Sequence, residues 1–192
     1  MLLKNVATVH SGIVLSRKKT QENGPDVKKY KILTLRSIHE EKGILEEKLE
    51  ANFFSEVLQD YLTRKGDVVV RLSSPNTAAY IHGGLEGVII PSQFCVIRVY
   101  KKVFLPEYLA WYLGSTFARK QIKKEISGST VSIIRKGTLE SLNVEKISIK
   151  NQKNILKINE LKRREISLLK KLGKEKETLY RGMIHRIIND GR

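Results

Sequence analysis

Residues 151–188, NQKNILKINELKRREISLLKKLGKEKETLYRGMIHRII, decide the fold of this chain. The segment has no proline, and its apolar residues recur mostly at intervals of three and four, the period of one helix face. At about 1.5 Å per residue, such a helix would span roughly 57 Å. An apolar face of this length is not stable alone in water, so the sequence predicts that the helix lies against a second helix. The face comprises Ile155, Ile158, Leu161, Leu168, Leu172, Leu179, Met183 and Ile187.

The predicted helix departs from a strict coiled-coil repeat. Lys162, Glu165, Lys176 and Gly182 interrupt the heptad positions. An imperfect antiparallel pair of helices therefore fits better than a long parallel coiled coil. The other interpretation is that the helix folds back onto the core of its own chain.

The composition is that of one small folded body with an appendage. The chain has 192 residues, of which 41% are hydrophobic. It has no run of 18 apolar residues, and its first residues lack the apolar core of a signal peptide, so we expect a cytoplasmic protein with no membrane span. The single cysteine, Cys95, lies among apolar residues and is expected to be a buried thiol. The four histidines are far apart in sequence, and we predict no metal site.

The net charge points to a polyanionic partner. Lysine and arginine number 36 against 20 acidic residues, giving a net charge of +16, whereas a magnitude of about 2–8 serves solubility in a small domain. Residues 151–192 carry twelve basic and five acidic residues, so both parts of the chain share the excess. Nucleic acid is the partner that this surface favours. A lysine-rich composition with ordinary solvated faces is the alternative.

Residues 1–150 predict an α+β body with more strand than helix. A helix is expected from Pro106 to about Ile126. Residues 44–62 are expected to hold a short strand followed by a helical turn or two, around Phe53, Phe54, Val57 and Leu58. Strands are predicted at residues 6–9, 30–35, 68–71, 88–91, 92–99 and 142–149.

No catalytic motif is convincing. The sequence Ser127-Gly128-Ser129-Thr130 lacks the glycine spacing and lysine of a phosphate-binding loop, and no Asn/Asp-Pro-Pro-aromatic motif for adenine methylation is present. Asp26 with Glu46 and Lys48 matches the spacing of a metal-dependent nuclease. However, acid-x-Lys recurs elsewhere in this charged chain, and Asp26 lies in a polar loop. We therefore predict a protein without catalytic residues of its own.

Polar loops next to the predicted strands supply residues suited to DNA. Arginine can pair with guanine, asparagine or glutamine with adenine, and hydroxyls and lysines with phosphates. Each of these residues alone is equally consistent with turn chemistry or ordinary surface. The candidate DNA-binding set is Arg17, Lys18, Lys19, Arg36, Arg71, Ser73, Ser74, Asn76, Thr77, Gln93, Ser129, Thr130 and Arg135.

The order of segments resembles the DNA specificity subunit of type I restriction–modification systems, in a half-length form. The matching segments are individually degenerate but occur in the family's order over nearly the whole chain. They are Val9-His10-Ser11-Gly12, Arg64-Lys65-Gly66-Asp67-Val68-Val69-Val70, Ser92-Gln93-Phe94-Cys95-Val96-Ile97-Arg98, Leu105-Pro106-Glu107-Tyr108-Leu109-Ala110-Trp111-Tyr112-Leu113, Ser127-Gly128-Ser129-Thr130-Val131, Leu139-Glu140-Ser141-Leu142-Asn143-Val144 and Asn151-Gln152. The pair Lys150-Asn151 departs from the proline-containing pair of many relatives.

The resemblance implies a target-recognition domain at residues 1–150 and one conserved spacer helix at residues 151–192. Family members usually carry two such units, whose spacer helices pair antiparallel and set the gap between two half-sites. One unit alone implies pairing with a second copy, or with another specificity half, to read a bipartite site in double-stranded DNA.

The resemblance also implies the partners of this chain. The helix would dock methyltransferase subunits, which would bring S-adenosylmethionine, and a restriction subunit could join the complex. The chain itself would need no cofactor. The alternative within the resemblance is a regulatory or antirestriction decoy that binds methyltransferase without productive DNA recognition.

Overall fold

The structure is a computed structural model that describes residues 1–15, 27–55, 57–100, 102–126 and 133–190. The chain divides into two compact units, which we call the N-terminal unit, Met1–Lys153, and the C-terminal unit, Asn154–Arg192. In these described ranges, no helix has the length and apolarity required to cross a membrane.

An antiparallel sheet of four strands forms the centre of the N-terminal unit. The strands are β1 (Ala7–Ser11), β6 (Val68–Arg71), β7 (Ala78–Tyr80) and β8 (Phe94–Val99), in the spatial order β1-β8-β6-β7. All residues of β6 except the last are buried, as are the first four of β8. The β-branched residues that predict these strands therefore form the core of the unit.

Two small strand pairs accompany this sheet. Strand β2 (Lys28–Ile32) pairs with β5 (Glu50–Phe54), and β3 (Ile38–His39) pairs with β4 (Gly43–Ile44), both antiparallel. Strand β5 is the short strand predicted within residues 44–62, but Phe53 and Phe54 belong to this strand, and the helical turn follows only at Gln59–Tyr61. Phe54 packs with Ile32 and Ile89 in one apolar cluster.

Four helices complete the described ranges: α1 (Pro106–Gly114), α2 (Thr116–Ile126), α3 (Lys136–Ser141) and α4 (Ile149–Asp190). The predicted helix from Pro106 is divided at Ser115, whose backbone is extended. Helix α4 begins two residues before the predicted start. The fold class is thus α+β, with a strand-rich body and a long C-terminal helix, as the sequence predicts.

Gln152 fixes the beginning of α4 within the N-terminal unit. Its side chain is fully buried, and its Nε2 donates to Val103 O at 2.8 Å and to Ile147 O at 3.0 Å. Its Oε1 accepts from Leu105 N at 2.8 Å, immediately before α1. One amide therefore satisfies three backbone groups that would otherwise be buried without partners. The glutamine that opens the helix in the sequence resemblance has a structural role here.

An ion pair joins the ends of two strands in the same unit. The Asp67 carboxylate accepts from Arg98 Nε at 3.1 Å, and the two side chains are 4% and 15% exposed. Asp67 also accepts from Arg64 N at 2.9 Å, and Arg98 donates to Leu62 O at 3.0 Å. Each partner of the ion pair therefore makes a further hydrogen bond to the backbone. Such bonds help to offset the cost of removing two charges from water.

Gly12 allows β1 to approach the segment before β8. A Cβ at this position would lie 2.1 Å from Pro91 O and 2.4 Å from Ile90 O, which are both backbone atoms. Ile13 N donates to Ile90 O at 2.8 Å, so the two segments cannot separate without losing this hydrogen bond.

We therefore expect Gly12→Ala to lower the free energy of unfolding by about 3 kcal/mol, the upper end of the usual cost of overpacking. Chemical denaturation followed by the fluorescence of Trp111 measures the loss. Gly137→Ala is the matched control, because a Cβ there meets no atom within 4 Å. Equal stability of the two variants would contradict the close approach.

Candidate nucleic-acid interface

Three segments that are distant in sequence meet at one end of the central sheet. Strand β1 ends at Ser11, which is paired with Cys95 near the start of β8, and β6 ends at Arg71, which is paired with Phe94. Strand β7 begins at Ala78, opposite Val70. The connections that follow β1 and β6 and those that precede β7 and β8 therefore all lie at this end of the sheet, which we call the loop edge.

Residues 72–77, which we call the 72–77 loop, connect β6 to β7 at the loop edge. The loop is closed by hydrogen bonds from Arg71 N to Thr77 O at 2.9 Å and from Asn76 N to Ser73 O at 2.9 Å. The peptide bond between Ser74 and Pro75 is cis. This loop contains four of the predicted DNA-binding residues and directly follows a fifth.

The 72–77 loop is joined to two neighbouring segments. Leu72 N donates to Gln93 O at 3.0 Å, and Ile134 N donates to Leu72 O at 2.9 Å. Ser73 forms an isolated antiparallel bridge with Ile133. The fold thus brings Gln93 and Arg135, predicted from separate parts of the sequence, next to this loop.

Arg71 and Ser73 contact each other through their side chains. Arg71 Nε donates to Ser73 Oγ at 2.9 Å, and both residues are half-buried. Asn76 directs its amide inward, since Nδ2 donates to Leu72 O at 2.9 Å. Thr77 is buried, whereas Ser74, Gln93 and Arg135 are exposed. The candidate residues of the loop edge therefore differ in how accessible they are to DNA.

Of the remaining predicted DNA-binding residues, Arg36 lies in the described ranges and is not among the residues that these hydrogen bonds join. Arg36 is exposed and lies in a turn between β2 and β3, where Ser37 and Thr34 bond each other. Arg17, Lys18, Lys19, Ser129 and Thr130 lie outside the described residues.

The C-terminal unit carries the predicted apolar face on α4. Of the predicted residues, Ile158, Leu161, Leu168, Leu172, Leu179, Met183 and Ile187 are 48–70% exposed, and Ile155 is half-buried. Leu169, Tyr180, Ile184 and Ile188 are exposed beside them and extend the face. The three-to-four spacing does not include these four residues, because each lies one position after a predicted one.

Charged side chains border the apolar face around its middle. Leu161, Leu168, Leu169 and Leu172 line a shallow groove whose edges carry Arg164, Glu165, Lys171 and Glu175. The set includes both positive and negative side chains, and Lys171 Nζ lies 3.7 Å from Glu175 Oε1. Such a surface can pair with an oppositely arranged copy of itself.

The described residues do not assemble the nuclease arrangement. Glu46 and Lys48 lie in a 3-10 turn, Glu46–Lys48, rather than in a strand, and Glu46 lies 3.8 Å from Lys31. Asp26 lies outside the described residues. Within the described ranges, no group of three or more His, Cys, Asp or Glu side chains is placed to hold a metal ion.

Cys95 is buried in β8, as the sequence predicts. Burial raises the pKa of its thiol, despite a hydrogen bond with Ser11 that acts in the opposite direction. A thiol in this environment is largely protonated at neutral pH, which is the inert state.

The chain has the fold of the specificity subunit of type I restriction–modification systems. It superimposes on the HsdS subunit from Thermoanaerobacter tengcongensis with a TM-score of 0.59 and 16% identity, over 89% of this chain and 38% of that subunit. It also superimposes on a chain from a structure concerning complex assembly and conformational transition of the type I R-M system. There the TM-score is 0.63 and the identity 16%, over 93% of this chain and 41% of the other.

The chain thus spans about two fifths of the length of each of these structures. No protein-family model matches it. No curated protein sequence matches it significantly.

Proposed function

We propose that this chain is the DNA-specificity component of a type I restriction–modification complex. The observation that carries the proposal is the combination of the specificity-subunit fold with a preformed cluster of polar loops at one sheet edge. Loops on a rigid sheet are common positions for binding residues. The net charge of +16 supplies the attraction to the phosphate backbone.

In this proposal the N-terminal unit reads one half-site. Arg71, Gln93 and Arg135 come from three segments that backbone hydrogen bonds join, so they can contact neighbouring base pairs together. The lysines and arginines around them hold phosphates and set the register on the duplex.

The C-terminal unit pairs with the same unit of a second copy. The exposed apolar face of α4 supplies the contact, and the mixed charges along its groove make an antiparallel, two-fold arrangement self-complementary. Two paired copies would read a split palindrome with a fixed gap, because a stiff helix pair separates the two N-terminal units.

The paired helices also bind methyltransferase subunits through faces that the pairing leaves open. The methyltransferase binds S-adenosylmethionine and flips the adenine out of the duplex. The chain determines which DNA sequence is methylated and contributes no catalytic group. The complex operates in the cytoplasm and can additionally bind a restriction subunit.

Co-expression with a type I methyltransferase subunit from the same organism tests this proposal. We expect a complex that contains two copies of the chain and methylates adenine at one bipartite sequence. A stable complex that methylates nothing would instead support the decoy function. Metal-dependent cleavage of DNA by the isolated chain, abolished by Glu46→Ala, would contradict the proposal in favour of a nuclease.

A further inference from the structure

The 72–77 loop is rigidly held, which leaves few of its groups free to contact DNA. Backbone hydrogen bonds of 2.9–3.0 Å tie it to itself, to Gln93 and to Ile134. A loop ordered before binding loses little conformational entropy when it binds, so its exposed groups can discriminate strongly between sequences.

Asn76 contributes to this rigidity from inside the loop. Its backbone has a φ of 55°, which asparagine tolerates better than most residues. Its side-chain Nδ2 donates to Leu72 O at 2.9 Å and faces Arg71 O at 3.5 Å. The Nδ2 group, which adenine recognition would use as the donor to N7, is therefore already engaged by the loop.

Arg71 is the basic side chain that the loop itself orients. Its Nε donates to Ser73 Oγ at 2.9 Å, in a half-buried position at the loop edge. This bond fixes the plane of the guanidinium and leaves the two Nη groups as the paired donors. Two parallel N–H donors in one plane match O6 and N7 of guanine in the major groove.

We propose that Arg71 reads a guanine in the half-site and that Ser73 is its positioning residue. The inference rests on the proposed function of the chain and assigns one base within it. A phosphate contact needs mainly positive charge, which exposed lysines supply. A contact with a base also depends on the direction of the two Nη groups, which the Ser73 hydroxyl helps to set.

Selection of binding sites from a randomised duplex library tests this proposal with the full chain. The wild type is expected to select a motif in which guanine at one position is favoured over the other bases by about 5- to 150-fold. Arg71→Lys keeps the charge but removes the planar pair of donors. A lysine ammonium can also donate to guanine, but without the parallel pair of donors, so we expect this variant to weaken the preference at that single position. The rest of the motif and the salt dependence of binding should be kept.

Ser73→Ala separates positioning from charge. It should weaken the preference for the same guanine without changing any other position, because the guanidinium loses its support. Ser141→Ala is the matched control, since this exposed hydroxyl donates to Thr138 O within α3. We expect its motif to equal that of the wild type.

The outcomes are distinguishable. An unchanged motif for Arg71→Lys, or a uniform loss of affinity for all sequences, would overturn the assignment of Arg71 and leave the proposed function intact. A wild-type motif in which no position favours guanine would do the same. Binding by the wild type without any sequence preference would contradict the proposed function itself.

Discussion

Replacement of Asp67 by alanine is expected to lower the free energy of unfolding of the N-terminal unit by about 3–5 kcal/mol. The Asp67 carboxylate is only 4% exposed and accepts hydrogen bonds from Arg98 and from the backbone of Arg64. Its removal leaves the Arg98 guanidinium, itself 15% exposed, without its buried counter-charge. Urea denaturation followed by Trp111 fluorescence measures the effect, because this single tryptophan lies in α1 of the same unit.

Asp60 provides a control on the same arginine. Its carboxylate accepts from Arg98 Nη1 at 3.2 Å but is 67% exposed. Exposed ion pairs contribute about 0–1 kcal/mol, so Asp60→Ala should cost far less than Asp67→Ala. Equal losses for the two variants would show that burial does not govern this network. Arg98→Met in the Asp67→Ala background should recover part of the stability, since it removes a charge that has lost its buried partner.

Replacement of both Leu168 and Leu172 by aspartate is expected to abolish pairing of the chain. Two copies contribute four leucines that are about half exposed on the helix, so the completion of their burial is worth roughly 3–6 kcal/mol in total. The aspartates would additionally be charged within the contact. Light scattering should show a dimer for the wild type and a monomer for the double variant, and recognition of a bipartite site should be lost.

The matched control places the same charges on the polar face of α4. Ser167 and Thr178 are exposed, do not line the leucine groove, and lie roughly 80–140° around the helix from Leu168 and Leu172. Their joint replacement by aspartate adds the same two negative charges and should leave the dimer intact. A double leucine variant that remains dimeric would show that the apolar face does not mediate pairing.

Segments with a clear pattern of apolar side chains were predicted correctly. The β-branched run at β6, the apolar run at β8 and the three-to-four spacing in α4 each specify one element without help from the rest of the chain. Strand β7 was missed because Ala78 and Ala79 have weak strand propensity, and only its pairing with β6 makes it a strand.

Runs of apolar residues predicted the burial of those residues more reliably than their pairing with a neighbouring strand. Residues 88–91 were predicted as a strand and are buried, but Ile89 bridges Ile32 on one side and Leu62 on the other without forming a regular ladder. Residues 142–149 were also predicted as a strand. There Leu142 and Val144 are buried, yet only Asn143 forms a bridge, with Leu2. The sequence carries the apolar pattern of a strand in both places, whereas the partner geometry depends on the whole fold.

The candidate site was predictable in its residue types but not in its internal arrangement. Polar residues next to strands indicated the 72–77 loop and Gln93, and the strand register brings them to one edge. The sequence contains no signal that Asn76 bonds Leu72 or that Ser73 accepts from Arg71. These bonds arise from the backbone path of the loop. One of them orients the Arg71 side chain, whereas the other engages the Asn76 side chain within the loop.

Long-read mapping of adenine methylation tests the central claim most directly. Cells that contain the methyltransferase would be compared with and without this chain. The account predicts methylated adenines at one bipartite, palindromic sequence only when the chain is present, and loss of these marks with the Leu168→Asp, Leu172→Asp variant. A methylation pattern that is identical with and without the chain would contradict its assignment as the specificity component.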